Sequence, residues 1–221
     1  MSSRQESTLI KHIQNIRTSG TILPSSGFLV ERLVRGIDFA NATLIIEFGV
    51  GTGCVTRQIL RRMRSDARLI SLEINAAFVE EGRRIRDPRL TVHHACATAL
   101  PRIMEDEGIT AVDAVVSSLP LSIMDSPMVD QILDVARDSL APGGRFLQYQ
   151  YSLSQRHRLS HRYNDVAVGF TPFNIPPAFV YQCSQEAAGG GRTVKVRPAV
   201  GSFYAGALAG VAMIVRAFQN F

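Results

Sequence analysis

The sequence predicts an α/β fold built on a doubly wound, mostly parallel sheet, and three observations carry that expectation. The first is Leu44-Ile45-Ile46-Glu47-Phe48-Gly49-Val50-Gly51-Thr52-Gly53, an apolar run closed by an acid and three alternate glycines. It reads as strand, tight turn and helix, because glycine lets the backbone turn sharply and approach a bound nucleoside closely. The second is the run Leu69-Ile70-Ser71-Leu72-Glu73, a second strand whose terminal carboxylate can accept both hydroxyls of a ribose. The third is the regular alternation of short apolar runs with helical periodicity as far as Tyr151.

Taken in order, the first element is a short amphipathic helix over Thr8–Arg17, with Leu9, Ile13 and Ile16 on one face. It suits either a helix packed across its own domain or one lying on a membrane surface. A turn-rich break over Gly20–Ser26 precedes a second helical pattern over Gly27–Ile37. Strands are expected at Leu44–Phe48, Arg68–Glu73, Leu90–His94, Val112–Ser117 and Arg145–Tyr151. Helices are expected at Cys54–Arg64, Ala76–Arg86 and Met128–Leu140, the last stopped by Ala141-Pro142-Gly143-Gly144. Asp165–Gly169 and Ala178–Cys183 read as two further β-runs completing the sheet with an antiparallel end. Glu186–Gly191 reads as a linker, followed by the basic residues Arg192, Lys195 and Arg197 and the uncharged stretch Val200–Val215. Three regions follow: N-terminal helices covering the site over 1–37, the central domain over 38–184, and a linker with an apolar tail over 185–221.

A chain of 221 residues holds one domain with a modest extension. Its formal net charge is +5, and only Lys11 and Lys195 are lysines, so the basic surface is arginine. Such a surface attracts nucleic acid or an anionic lipid leaflet without choosing between them. Cys54, Cys96 and Cys183 are odd in number and lack ligand spacing, which argues for a reducing compartment and against a disulfide framework or zinc site. Met1–Arg17 has no apolar signal region, and a cytoplasmic location is expected.

The compact E-F-G-V-G-T-G form, with Glu47 before it and Glu73 after it, resembles the first motif of class I S-adenosylmethionine-dependent methyltransferases. The resemblance implies their Rossmann-like fold. It narrows further to the soluble bacterial phospholipid N-methyltransferases, which methylate phosphatidylethanolamine. The segments that carry it are Ile22-Leu23-Pro24-Ser25-Ser26, the glycine loop, Ser117-Ser118-Leu119-Pro120-Leu121, Pro142–Tyr149 and Asn174–Tyr181.

That resemblance implies S-adenosyl-L-methionine as cofactor and assigns residues to it. Glu47, Gly49, Gly51 and Gly53 cradle its methionine part, Glu73 takes the ribose, and Ile74 lies against the adenine. Ser25 and Ser26 close the site from the N-terminal side, or else cap a helix. Where the family has Gly-Asp-Ala beside the adenine, this chain has Ala95-Cys96-Ala97. Cys96 is a weak acceptor, so recognition by Cys96 and Ala97 rests on backbone and apolar contact.

Enzymes that methylate exocyclic base amines use an Asn/Asp/Ser-Pro-Pro-aromatic loop. Here Ser118-Leu119-Pro120-Leu121 ends without a ring, which suits a primary alkylamine positioned and desolvated beside apolar groups. Along the fifth strand Gln148 and Gln150 point one way and Tyr149 and Tyr151 the other. The tyrosines, with Ser118, are the expected catalytic contacts, as hydrogen-bonding or cation–π partners of the amine. Arg156, Arg158 and Arg162 can clamp a lipid phosphate or form a solvated loop. His157 and His161 lack the partners of a metal site, and no metal is expected. The leading expectation is therefore N-methylation of a phospholipid amine at the inner membrane face, with an anionic membrane as partner. A nucleic-acid adenine N6-methyltransferase and a non-catalytic binding protein of the same fold are the alternatives.

Overall fold

The computed structural model of the chain describes residues 26–185 and a strand at 193–197. The expected helix over Thr8–Arg17, Ser25 and the apolar run Val200–Val215 lie outside the described residues. Helix α1 (Gly27–Val34) leads into β1 (Leu44–Phe48), α2 (Cys54–Arg62), β2 (Arg68–Glu73), α3 (Ala76–Arg83) and β3 (Leu90–His94). Then come α4 (Leu100–Asp106), β4 (Val112–Ser117), α5 (Ser126–Asp138), β5 (Leu140–Gln150), α6 (Arg156–Arg162), β6 (Asp165–Thr171), β7 (Ala178–Ser184) and β8 (Thr193–Arg197).

The strands form one sheet in the order β3-β2-β1-β4-β5-β7-β6-β8, with β7 antiparallel to both its neighbours and the other pairings parallel. Strand order reverses between β1 and β4, which opens a crevice at their carboxyl ends. The central strands are apolar on both sides because each buries both faces. Ile46, Ile70, Val115 and Phe146 pack under α4, α5 and α6, whereas Ile45, Leu69, Ala114 and Leu147 pack under α1 and α2. The start of β1 is fixed by Asp113 of β4, whose Oδ2 accepts from the backbone N–H of Thr43 (2.7 Å) and Leu44 (2.9 Å). Arg89 performs a similar task for α2: its guanidinium donates to the carbonyls of Leu60, Met63 and Arg64, filling acceptors that a helix end leaves open.

Four departures from the sequence reading have physical causes. Helix α4 was not expected, although Pro101 in its first turn is a normal helix-starting feature. The basic segment Arg156–Arg162 is a helix and not a loop; its one buried apolar residue, Leu159, gives no periodicity to read. Strand β5 begins at Leu140 and runs through the Pro-Gly-Gly segment, with a register shift opposite Val112/Ala114 absorbing the irregularity. Finally, Thr193–Arg197, placed in the linker region by sequence, is a strand parallel to β6.

Candidate active site

The glycine loop after β1 sits at the crevice. Gly49, Gly51 and Gly53 all have left-handed φ values of 86°, 53° and 75°, which side chains rarely tolerate. The loop is tied down at each turn. Gly49 N–H donates to the Leu72 carbonyl (2.9 Å), Gly53 N–H to Val50 (2.9 Å), and Gly51 N–H to Oε2 of Glu73 (3.1 Å). A Cβ built on Gly51 would meet no heavy atom within 4 Å, so the loop faces open space there.

Glu73 ends β2 beside this space, nearly buried. Its Oε1 accepts from the Asn75 N–H (2.8 Å), and the Oε2 bond to Gly51 leaves a further lone pair on each oxygen. Those lone pairs suit two vicinal hydroxyls. Ile74 follows half-buried, its carbonyl hydrogen-bonded to the His94 ring (3.0 Å). Cys96 is half-buried and Ala97 buried on the turn after β3, and Ala95 N–H donates to the Glu73 carbonyl (3.0 Å). Residues 73–74 and 95–97 are thus adjacent.

Glu47 lies beneath the loop, fully buried. Ser71 Oγ donates to its Oε2 (2.6 Å), and Thr56 Oγ1 lies 2.8 Å from Oε2 and 3.0 Å from Oε1. Burial raises its pKa from 4.5 to about 7, against the opposing effect of the two hydroxyls, and the nearby Glu73 adds to the rise. Glu47 is therefore a buttress under the loop, with no exposed surface of its own.

The loop after β4 closes the other side of the crevice. Ser118 Oγ donates to the Gly49 carbonyl (2.8 Å), so this hydroxyl couples the two loops. The Leu119 carbonyl accepts from both Gln148 Nε2 (3.0 Å) and Gln150 Nε2 (2.9 Å). The two strand faces are thus divided as the alternation expects, but it is the glutamines that grip this loop. Tyr149 and Tyr151 lie on the other face, their rings 5.9 Å apart and edge to face. Tyr149 packs beside the α1–α2 core, and the Tyr151 hydroxyl lies in the neighbourhood of Tyr149 and Asn174. Partial burial, with Tyr149 beside it, raises the Tyr151 phenol from 10.0 to about 12, although the side chain keeps an exposed face.

The sequence marks Asn174 only as the start of the Asn174–Tyr181 segment and gives it no role, yet it organises this corner. Its Oδ1 accepts from Ser26 N–H (3.0 Å) and its Nδ2 donates to the Pro176 carbonyl (2.8 Å). Ser26 caps α1, its Oγ accepting from Leu29 N–H (3.2 Å). Two of the three arginines of α6 are engaged elsewhere: Arg158 pairs with Asp130 (2.6 Å), and Arg162 with Asp130 and Asp134 (both 2.9 Å). No cluster of metal-ligating side chains occurs among the described residues.

Comparison with known proteins gives this arrangement a family. A methyltransferase-domain profile matches residues 45–144. The ornithine lipid N-methyltransferase of Singulisphaera acidiphila is 32% identical over 166 residues, covering 74% of this chain and 86% of that protein. This chain is a class I S-adenosylmethionine-dependent methyltransferase, related to the lipid N-methyltransferases. The ribosomal RNA small subunit methyltransferase H of Aromatoleum aromaticum is 29% identical over a smaller share, 47% of this methyltransferase and 32% of that protein. A methyltransferase from Geobacter sulfurreducens shares the fold, with a TM-score of 0.53 and 15% identity over 83% of this chain and 91% of that one. The open cradle at Gly51 and the Glu73 lone pairs fit S-adenosylmethionine, the cofactor of this family.

Proposed function

We propose that this methyltransferase methylates the amine of a lipid headgroup, with phosphatidylethanolamine the leading substrate, at the cytoplasmic face of a membrane. The observation that carries the reading is the doubly occupied Leu119 carbonyl. With both acceptor directions filled by Gln148 and Gln150, that carbonyl has no capacity left for the hydrogens of a base amine. Nor does the loop end in a ring on which a base could stack. A primary alkylamine needs neither feature, because its neutral form is already nucleophilic. The lipid substrate of the ornithine lipid N-methyltransferase supports the same reading. The basic charge and the partial likeness to a ribosomal RNA enzyme favour a nucleic-acid substrate, and the Leu119 geometry opposes it.

S-adenosylmethionine, when bound, supplies a methyl group on a positively charged sulfur. Glu73 would hold its ribose, with Ile74, Cys96 and Ala97 against the adenine and the Gly49–Gly53 loop against the methionine part, buttressed by Glu47. Ser26 (with Ser25) would close the N-terminal side. Tyr149 and Tyr151 would orient the incoming amine by hydrogen bonding and by their ring faces. Ser118 would fix the distance between the two loops that flank the reacting atoms. The amine must arrive without its extra proton, so desolvation beside Leu119 and the tyrosines is the catalytic contribution expected of the chain, Leu121 being packed in the core.

The test is incubation of the purified protein with methyl-labelled cofactor and, in separate reactions, phosphatidylethanolamine vesicles, ornithine-lipid vesicles and ribosomal RNA. Label in either lipid fraction supports N-methylation of a lipid amine and ranks the headgroups. Label in RNA alone overturns it.

A further inference from the structure

The described residues expose six large apolar side chains: Phe28, Ile123, Tyr151, Leu153, Phe173 and Ile175. All six lie at the edge of the sheet that holds the cofactor loop. Ile123 follows β4, Tyr151 and Leu153 follow β5, and Phe173 and Ile175 occupy the turn from β6 to β7. Phe28 joins them from the start of α1, edge to face with Phe173 at 5.4 Å. Phe173 and Ile175 are the most open, at 62% and 78% exposed.

The surroundings of these side chains are as informative as the side chains. Segments 117–124, 150–155 and 171–177 contain no Asp, Glu, Lys or Arg. An apolar rim whose own segments are uncharged can leave water with little stripping of hydration from ions, Asp125 and Arg156 standing at the outer ends of two of them. The rim is also held in shape. Asn174 anchors the β6–β7 turn to Ser26 and Pro176, and the buried Tyr181 donates its hydroxyl to the Ser152 carbonyl (3.3 Å). Just behind the rim, Arg156 opens α6 with no ion pair among the described residues, unlike Arg158 and Arg162.

We infer that this rim is the surface by which the enzyme docks on a bilayer, its apolar tips entering the headgroup–acyl boundary while Arg156 faces the phosphates. The direction follows from the lipid-amine reading, since the substrate's headgroup lies in the plane that the cofactor loop would then face. Docking is therefore driven by apolar burial, and the arginines of α6, two of them already paired, add little to it. Tyr151 suits the boundary, with an apolar ring and a polar hydroxyl.

The test is sedimentation of the full chain with vesicles of phosphatidylcholine alone, without substrate, so that its result is independent of whether any lipid is methylated. Wild-type protein is expected to bind these neutral vesicles and to remain bound at about 0.5 M salt, where surface charges are screened within a few ångströms. The variant carrying Leu153→Ser, Phe173→Ser and Ile175→Ser is expected to bind at least about tenfold more weakly. Its affinity for S-adenosylmethionine, measured by calorimetry, should be unchanged. If the triple variant loses cofactor binding, Ile175→Ser alone, at the most exposed tip, replaces it and should still reduce vesicle binding measurably. Equal vesicle binding by variant and wild type overturns the inference, as does release by salt. So does a wild-type dimer that the substitutions dissociate, which would make a second copy the occupant. Vesicle binding that emerges only when residues 198–221 are deleted would make the chain's own tail the occupant. A protein that docks through the rim but labels no lipid would refute the proposed substrate and leave the docking surface standing.

Discussion

At the scale of single residues, Glu47 carries the most distinctive prediction. Its folded-state pKa is raised from 4.5 to about 7, mainly by burial. Between those values the folded protein holds a proton that the unfolded chain has released. Stability then falls as pH rises, by roughly 1.4 kcal/mol per unit inside the window, and levels off above it. Glu47→Gln should flatten this slope in denaturant titrations run from about pH 5 to 8, and an unchanged slope would show that the carboxylate stays ionised throughout. Two other residues address the cofactor directly. Gly51→Val places a branched side chain at φ 53° and into the open cradle. Glu73→Ala leaves the N–H groups of Gly51 and Asn75 without their acceptor. Each should weaken S-adenosylmethionine binding by about tenfold or more in calorimetry; wild-type affinity in both would put the cofactor elsewhere.

At the scale of elements, the hold of β5 on the loop after β4 is testable. Gln148→Leu with Gln150→Leu removes both donors to the Leu119 carbonyl. It should cost about 1–3 kcal/mol of stability and raise KM for the amine more than KM for the cofactor. Equal effects on both constants would mean that the glutamines brace the whole crevice. The parity of Gln148, Tyr149, Gln150 and Tyr151 could be read from the chain, because side chains alternate along any strand. What the glutamines bind could not, since it depends on a loop nearly thirty residues earlier folding back over them. β1, β2 and β4 were legible to the residue because buried parallel strands are largely apolar runs between turn signals, and β3, a half-exposed edge strand, from its short run Leu90-Thr91-Val92. Helix α6 was not: its stability rests on Leu159 and on ion pairs with Asp130 and Asp134, none of which shows as periodicity. β8 did carry a signal, the alternation Val194-Lys195-Val196-Arg197, which its basic composition masked. In the site, the glycines and Glu73 were readable because they answer to a local backbone demand. Asn174 was not, because its partner Ser26 is 148 residues away.

At the scale of the whole molecule, β8 changes what the C-terminal region does. It covers the edge of β6 along Asp165–Gly169, and a bare edge strand is a template for unwanted pairing. Truncation after residue 197 should leave the melting temperature nearly unchanged, whereas truncation after residue 185 should lower it and promote aggregation in light scattering. Equal behaviour of the two truncations would show that the strand contributes nothing to the sheet. The tying of the glycine loop has a different kind of consequence. Because Glu73, Leu72, Val50 and Ser118 already hold it in shape, its ordering is completed during folding and is not deducted from the affinity for the cofactor. Occupancy then feeds back on the fold by mass action. At a cofactor concentration about a hundredfold above Kd, the native state gains about 2.7 kcal/mol, a rise in Tm of about 5–10 °C for a domain this size. The cell's supply of methyl donor would thus set how long this protein survives unfolding and proteolysis, as well as how fast it works.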